Sequence, residues 1–218
     1  MALKENDFIE VEYVGKVKGD DMVFDTTDEK LAKESGIHNP NASYGAVIIC
    51  LGNGQLLKGL DSALVGKDVG QHTIEIAAED GFGKKTAEMI QLIPTTKFKK
   101  EGFKPMVGMQ INVDGMYGIV KSSGGGRTMV DFNHPLASKE LIYDITVKKI
   151  VTDAQQKTEA FIRLALGMKD TIVTLAEGKA TVTTGIELPA EAQKHLTMGV
   201  QKVVPEVKEI VYAVLKKE

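Results

Sequence analysis

The segment IYDITVKKI (residues 142–150) alternates apolar and polar side chains, which is the pattern of a strand with one buried face. The loop FNHPLASKE just before it is rich in turn residues, yet it carries the apolar side chains Phe132 and Leu136. A solvated loop would not need them. We therefore expect this loop to cover an apolar surface. The strand that follows it should join a sheet whose other strands come from elsewhere in the sequence.

Earlier segments supply the rest of that sheet. DFIEVEYVGKV (residues 7–17) alternates with one slip that fits a β-bulge, and three more segments resemble strands: DMVFDTT, AVIICLG and HTIEIAAEDGFG. LLKGLDSALVGKDVGQ places leucines at helical spacing before Gly66, which predicts a helix capped by that glycine. Residues 28–43 are polar, with a glycine and a proline, and predict a long loop with one helical turn.

Composition limits the classes of protein to be considered. The chain has 218 residues, 43% of them hydrophobic, and its 27 basic and 30 acidic residues leave a net charge of -3. This predicts a soluble globular protein of one to three domains. No basic block suits a dedicated nucleic-acid binder, and no apolar run is long enough to span a membrane. Residues 1–7 are too polar for a secretory signal, so we expect a cytoplasmic protein.

Neither cysteine nor histidine suggests metal or redox chemistry. Cys50 is the only cysteine and lies in the apolar run AVIIC, so we expect it to be a buried core residue. The four histidines are scattered without metal-ligand spacing. The sequence therefore predicts no metal site and no cofactor.

Several motifs recur in the order of one known family. YVGK, VFDT, LGNGQLLKGLDSALVG and DGFG resemble the FKBP-type peptidyl-prolyl cis-trans isomerases, and FNHPLA followed by LIYDITV is typical of their SlyD-like branch. The resemblance covers residues 1–151. It implies an α+β, mainly β fold, in which an antiparallel half-barrel sheet wraps a short helix and residues 142–150 form the last strand.

The same resemblance implies how the chain is divided. Residues 1–86 with 131–151 would form the isomerase domain, and residues 87–130 would be a small β-rich insert-in-flap domain that acts as a chaperone. Residues 152–218 would be an α+β domain of the kind found in long archaeal members of the family.

The resemblance also implies the site. Its catalytic residues would be Tyr13, Phe24, Asp25, Leu57, Phe82 and Tyr143, and the pocket would also be lined by Val47, Leu56, Leu60 and Leu136. The Leu57 N–H would hold a substrate carbonyl, and Asp25 would orient Tyr13 or polarise the bound amide.

Each assignment has a plainer alternative. The three leucines would be apolar in any strand-to-helix corner, and Asp25 could simply start a turn with Thr26. We interpret His134 as a hydrogen-bonded turn residue rather than a catalyst. Leu60 and Phe82 stand where well-known members of the family carry tryptophan and tyrosine, which puts tight binding of macrolide inhibitors in doubt.

The inserted segment is rich in methionine, a flexible side chain that suits a surface accepting many shapes. Five of the nine methionines lie in residues 87–130, and we expect Met106, Met109 and Met116 to bind unfolded chain. The alternative is that the methionines fill an irregular small core.

The segment after residue 151 predicts a hairpin that turns at Glu177–Gly178, a helix that begins near Pro189 and a closing strand. TEAFIRLAL fits either a helix or a strand. The segment carries many apolar strand residues for its length: Ile172, Val173, Val182, Ile186, Val211, Tyr212 and Val214. Their burial could come from a homodimer, from internal packing or from docking onto the isomerase domain.

The main hypothesis is a prolyl isomerase and folding chaperone whose partners are proline-containing peptides and unfolded proteins. The alternative is a holdase or adaptor that keeps the fold without useful catalysis. Tyr13, Phe24 and Asp25 favour the isomerase, because a holdase would not need that cluster.

Overall fold

A computed structural model describes residues 2–20, 22–168 and 170–215. The chain divides into two compact units: residues 1–76 with 140–218 form the first, and residues 77–139 form the second. In the described part of the chain, no helix is long and apolar enough to cross a membrane.

Strands dominate the described residues. In chain order they are β1 Phe8–Val17, β2 Val23–Thr26, β3 Val47–Cys50, β4 Gly70–Ile76, β5 Ile90–Pro94, β6 Gln110–Val113, β7 Met116–Gly124, β8 Arg127–Asp131, β9 Leu141–Val151, β10 Ile172–Ala176, β11 Lys179–Thr184 and β12 Glu209–Val214. The helices are α1 Glu29–Glu34, α2 Lys58–Leu64, α3 Thr95–Lys100, α4 Ala154–Leu166 and α5 Ala190–Val203. Most strand pairs are antiparallel, so the predicted α+β, mainly β fold class is confirmed.

The first unit contains a five-stranded sheet. Its strands follow the order β2-β1-β9-β4, and β3 also pairs with β1. Strand β9 pairs with the whole of β1, from Phe8 opposite Val151 to Val17 opposite Leu141. The pairing register shifts between Glu10 and Val11, where the alternation of the sequence also slips. The strand after the apolar loop thus returns to the centre of the sheet.

The second unit has its own sheet and core. Its four strands follow the order β5-β8-β7-β6, all antiparallel, with α3 packed beside β5. The core consists of Ile93, Phe98, Ile111, Val113, Val120, Val130 and Phe132. Gly118 has no room for a side chain, because a Cβ there would lie 2.6 Å from Val130 and 2.7 Å from Phe132.

The segment after residue 151 folds as α4, a β10–β11 hairpin, α5 and β12. The hairpin turns at Glu177 and Gly178, both at positive φ, as the sequence predicts. TEAFIRLAL is helical: α4 begins after Asp153, whose side chain accepts from the Gln156 N–H, and it ends at Gly167 in the left-handed conformation. Strand β12 joins β11 in parallel.

This segment shares a hydrophobic core with β1, β3 and β9. The core includes Phe8, Cys50 and Val151 from those strands, together with Ile162, Val173, Ala180, Val182, Val200, Val203, Val204 and Val207 from the segment itself. Helix α4 packs directly on β3. The strand β3 therefore has one face toward this core and the other toward the five-stranded sheet's own interior, where Ile49 is buried.

Candidate functional site

A cavity of about 300 Å³ opens between β1, β2 and the loop that leads to β3. The residues lining it include Tyr13, Phe24, Asp25, Ile37 and Val47. Its walls are aromatic and aliphatic apart from one carboxylate and several small polar groups. Sequence analysis predicted four of these five residues, and it missed Ile37 because residues 28–43 were read only as a polar loop.

The aromatic rings at this cavity contact one another. The ring centroids of Tyr13 and Tyr143 lie 5.8 Å apart, and those of Phe24 and Tyr143 lie 5.7 Å apart at an interplanar angle of 85°. Edge-to-face packing of this kind fixes ring orientation. Gly15 makes it feasible, because a Cβ there would lie 3.0 Å from both Phe24 and Tyr143. The glycine of the YVGK motif is thus a site residue that sequence reasoning missed.

Two threonines fix the backbone of Tyr13. Its N–H donates to Thr27 Oγ1 at 2.9 Å, and its carbonyl accepts from Thr26 Oγ1 at 3.1 Å and from the Thr27 N–H at 3.0 Å. Both threonines are buried. In the sequence they appear only as the polar end of a strand, so their role follows from the structure alone.

The Tyr13 hydroxyl donates a hydrogen bond to the Asp25 carboxylate. Burial raises the pKa of Tyr13, and the neighbouring Asp25 charge raises it further. Burial also raises the pKa of Asp25, although hydrogen bonds from Tyr13 and the Thr26 N–H partly offset that rise. The pKa of Tyr143 is raised by burial and by the Asp25 charge. Burial at this site therefore keeps both tyrosines neutral, and the Tyr13 hydroxyl can act as a hydrogen-bond donor.

The raised pKa of Asp25 predicts a pH-dependent cost to stability. The folded state holds this proton more tightly than the unfolded state, whose pKa is the ordinary 3.8. The contribution of Asp25 to the free energy of unfolding therefore falls as pH rises from 3.8 through the folded pKa, and it stays low above that. We expect Asp25→Asn to be more stable than the wild type in urea at neutral pH. The difference should disappear below the unfolded pKa, and a variant that is less stable at neutral pH would contradict this account.

The predicted leucines lie at the start of α2. Leu60 is buried, and Leu56 and Leu57 are half-buried. Leu57 precedes the first helical residue, so its N–H has no partner within the helix, while its carbonyl accepts from the Asp61 N–H at 2.9 Å. None of the three is among the residues that line the cavity. Their contact with substrate stays a prediction.

Phe82 and Leu136 both belong to the second unit. The Phe82 ring stacks on the His134 ring, with centroids 4.3 Å apart and planes 6° apart. Leu136 is buried, and its N–H donates to His134 Nδ1 at 3.2 Å. Sequence analysis interpreted His134 as a hydrogen-bonded turn residue, which this geometry matches.

The three predicted methionines of the inserted unit differ in environment. Met106 is 64% exposed and Met116 is 43% exposed, whereas Met109 packs against the core of the unit. Other apolar side chains are as open: Leu92 is 57% exposed and Tyr117 is 78% exposed. Ile90 and Leu92 alternate along β5 with the buried Ile93, so they lie on the face away from the core. Sequence analysis weighed only the methionines and missed this face.

A wider groove of about 780 Å³ adjoins the cavity between β1 and β2 and shares Tyr13 and Thr27 with it; its other lining residues include Glu12, His72 and Asp144. Asp144 is already paired there, since it accepts from Thr73 Oγ1 at 2.8 Å and from Lys16 Nζ at 3.1 Å. Four carboxylates line this groove, those of Glu12, Asp28, Glu29 and Asp144, against the single Asp25 carboxylate in the cavity, so the groove is less suited to chemistry that needs an apolar surface. In the described residues, no group of three metal-binding side chains lies close enough together to hold an ion.

Comparison with known proteins shows that this chain is similar to peptidyl-prolyl cis-trans isomerases. The family described as "FKBP26, IF domain" matches residues 91–136. A short-type peptidyl-prolyl cis-trans isomerase of Methanocaldococcus jannaschii is 35% identical over 149 residues, which cover 68% of this chain and 94% of the relative. The FKBP-type 16 kDa peptidyl-prolyl cis-trans isomerase of Escherichia coli is 33% identical over 106 residues, covering 46% of this chain and 70% of the relative. The SlyD isomerase of Haemophilus influenzae is 32% identical over 102 residues, covering 44% and 53%.

Proposed function

This chain belongs to the FKBP-type peptidyl-prolyl cis-trans isomerase family, and we propose that its isomerase site is the cavity beside Tyr13 and that its substrates are unfolded or partly folded polypeptides. One observation carries the assignment of the site. The Tyr13 and Phe24 rings and the Asp25 carboxylate line one cavity of about 300 Å³, which is large enough for a proline side chain, and the buried Tyr143 ring packs against both rings.

The reaction needs shape and dryness rather than a nucleophile. Rotation about a prolyl bond is opposed by a barrier of about 18–20 kcal/mol, which arises from the partial double bond of the amide. The twisted amide has lost resonance and is less polar than the planar one. An apolar cavity therefore favours it relative to the ground state, and this difference lowers the barrier.

Polar groups at the rim would orient the substrate. In this proposal, the Leu57 N–H holds a carbonyl of the bound peptide, as its place ahead of α2 leaves it available. The Asp25 carboxylate fixes the Tyr13 hydroxyl through their hydrogen bond, or polarises the bound amide directly. Phe82 and Leu136 would also contact substrate, as the family resemblance implies.

We further propose that residues 87–130, which lie within the second unit, are an insert-in-flap domain that captures unfolded chain. Its support is the set of large apolar side chains that the small core leaves exposed, on the outer face of the sheet, at the start of β7 and in the loop before β6: Ile90, Leu92, Met106, Val107, Met116 and Tyr117. Monomeric proteins seldom leave so many large apolar groups exposed in so short a segment without a binding role. A captured chain would present its prolines to the isomerase site at high local concentration.

Self-association through the segment after residue 151 also remains a proposal. Val173 and Val182 are buried in the shared core, but Ile172, Ile186, Val211 and Val214 are exposed. Ile172 and Val211 lie on the face of the three-stranded sheet opposite Val173 and Val182, because side chains alternate along each strand. A second copy of the chain could cover that face by a two-fold contact.

Substitution at the cavity tests the isomerase assignment. Asp25→Leu and Tyr13→Ala should each slow turnover of a proline tetrapeptide in a protease-coupled assay, on the order of a hundredfold, as when a preorganised polar group is removed from an active site. Glu187→Leu, at an exposed loop position, is the matched control and should retain wild-type turnover. Unchanged turnover in both cavity variants would place the site elsewhere. A wild-type chain that does not accelerate isomerisation but still suppresses aggregation would favour the holdase alternative.

A further inference from the structure

His134 contacts both Phe82 and Leu136, the two residues of the second unit that the proposed function assigns to substrate contact. Its ring lies flat on Phe82, at 4.3 Å between centroids and 6° between planes. Its Nδ1 accepts from the Leu136 N–H at 3.2 Å. The histidine itself is exposed, whereas Leu136 beneath it is buried. A single surface ring thus contacts both segments that flank residues 87–130 and carry a predicted substrate-contacting side chain.

We propose that His134 is a positioning residue for the isomerase reaction. Its ring and its Nδ1 hold Phe82 and Leu136 in the geometry that binds the peptide. The proposal rests on the function proposed above, since it takes both side chains to contact substrate. His134 itself does not touch the reacting amide in this proposal and acts only through its two neighbours.

The local structure explains why a histidine suits this position. A side-chain acceptor at one residue and an N–H two residues on, with Pro135 between them, form a turn of the kind that asparagine and aspartate also make. The turn continues with the Ala137 N–H donating to the His134 carbonyl at 2.9 Å. Histidine adds what asparagine lacks, a flat ring that can stack on Phe82. To accept from Leu136, the neutral ring must carry its hydrogen on Nε2.

The other end of residues 134–138 is hydrogen-bonded to residues 83 and 85. The Ser138 N–H donates to the Gly83 carbonyl at 2.7 Å, and Ser138 Oγ accepts from the Lys85 N–H at 2.8 Å. Residues 134–138 are therefore fastened to residues 82–85 at both ends. The His134 end contacts the Phe82 ring and the Leu136 N–H, and the Lys139 N–H donates to the Leu136 carbonyl at 3.2 Å, so His134 contributes directly to where the Phe82 ring and the Leu136 backbone lie.

Three substitutions in the full chain separate the two contacts. His134→Phe keeps a flat ring beside Phe82 and removes the acceptor. His134→Asn keeps an acceptor for the Leu136 N–H and removes the ring. His134→Ala removes both, and His195→Ala, at an exposed position of α5, is the matched control. Because the replaced ring is exposed, each variant should keep the wild-type unfolding midpoint, which is measured alongside.

We expect His134→Ala to raise KM for a proline tetrapeptide about tenfold, the combined worth of one hydrogen bond and one ring contact, with kcat little changed. Phe82 and Leu136 would contact the peptide whether its prolyl amide is planar or twisted, so they stabilise the ground state and the transition state equally. Disturbing them therefore raises KM rather than lowering kcat. His134→Asn and His134→Phe should each raise KM less than His134→Ala does. The control His195→Ala should keep the wild-type KM.

Two results would overturn the positioning role while leaving the proposed function intact. One is wild-type KM in His134→Ala, measured on a wild-type enzyme that is active. The other is a loss in His134→Ala that neither His134→Asn nor His134→Phe recovers, since the ring would then act through something other than these two contacts. An inactive wild-type chain, by contrast, would show that the proposed function itself has failed.

Discussion

A chain that ends at Val151 should be severely destabilised, although it retains all five strands of the isomerase sheet. Phe8, Cys50 and Val151 are buried in a core whose other buried members lie beyond residue 151. Truncation would expose them together with the outer face of β3. Burial of one large apolar side chain contributes about 1.5–3 kcal/mol. Losing several therefore removes a large part of the roughly 5–15 kcal/mol that stabilises a typical domain.

Two measurements check this expectation. Urea unfolding should show a much lower midpoint for the truncated chain. The Cys50 thiol, whose pKa is raised to about 11 chiefly by burial, should become reactive toward a thiol reagent at neutral pH. Cys50 is the only cysteine, so labelling reports this interface alone. A truncated chain that unfolds at the wild-type urea concentration with an unreactive Cys50 would contradict the account.

A matched pair on α4 tests the same core without truncation. Ile162→Ala removes a fully buried side chain and should cost about 2–5 kcal/mol of unfolding free energy. Leu164→Ala, two residues along the same helix and 45% exposed, should change it by less than about 0.5 kcal/mol. Equal effects would mean that α4 is not held by this core.

The shared core also decides how self-association should be measured. A truncated chain exposes new apolar surface on β3, so it could associate for reasons unrelated to the native chain. Light scattering of the full chain, with Val211→Lys as the variant that places a charge on the exposed sheet face, avoids that difficulty.

The sequence predicted residues that line the cavity, but it did not predict which elements pack against each apolar strand face. Tyr13, Phe24, Asp25 and Val47 were predicted because family motifs carry them, and they meet at one cavity. The apolar run AVIIC indicates a buried strand, but it cannot show what packs against each face of that strand. The packing of α4 on β3 joins residues more than 100 positions apart, and no local pattern contains that information.

Other parts of the site depend on space rather than on residue type. Gly15 is needed because two rings approach its Cα, and Thr26 and Thr27 are needed because Tyr13 has free backbone groups beside them. A glycine in a strand and a pair of threonines at its neighbour's end are common in any sheet. Only the folded arrangement shows which of them serve the site.

Removal of the inserted segment should separate catalysis on short peptides from catalysis on proteins. A chain in which residues 87–130 are replaced by a short loop should turn over a tetrapeptide at close to the wild-type rate. Its catalysis of a proline-limited refolding reaction should fall roughly a hundredfold, because the chain is no longer held beside the site at high effective concentration. Phe132 packs in the core of the inserted unit, so it is changed to serine in this variant to avoid exposing it.

Point substitutions on the open face make the same test without a deletion. Leu92→Ser with Tyr117→Ser removes two of the most exposed apolar groups and leaves the core of the unit intact. We expect slower catalysed refolding and weaker suppression of aggregation, with tetrapeptide turnover unchanged. Leu164→Ser, an exposed leucine on α4 in the other unit, is the matched control and should alter neither activity.

The outcomes of the two experiments distinguish capture by this face from a general role of the insertion. If the deletion slows refolding but the double substitution does not, unfolded chain binds the insertion elsewhere, with Met106 and Val107 in the loop before β6 as the next exposed apolar groups. If neither change affects refolding of the protein substrate, the inserted unit has no part in capture. Tetrapeptide turnover provides the reference in both cases, because a short peptide reaches the cavity beside Tyr13 without first being held.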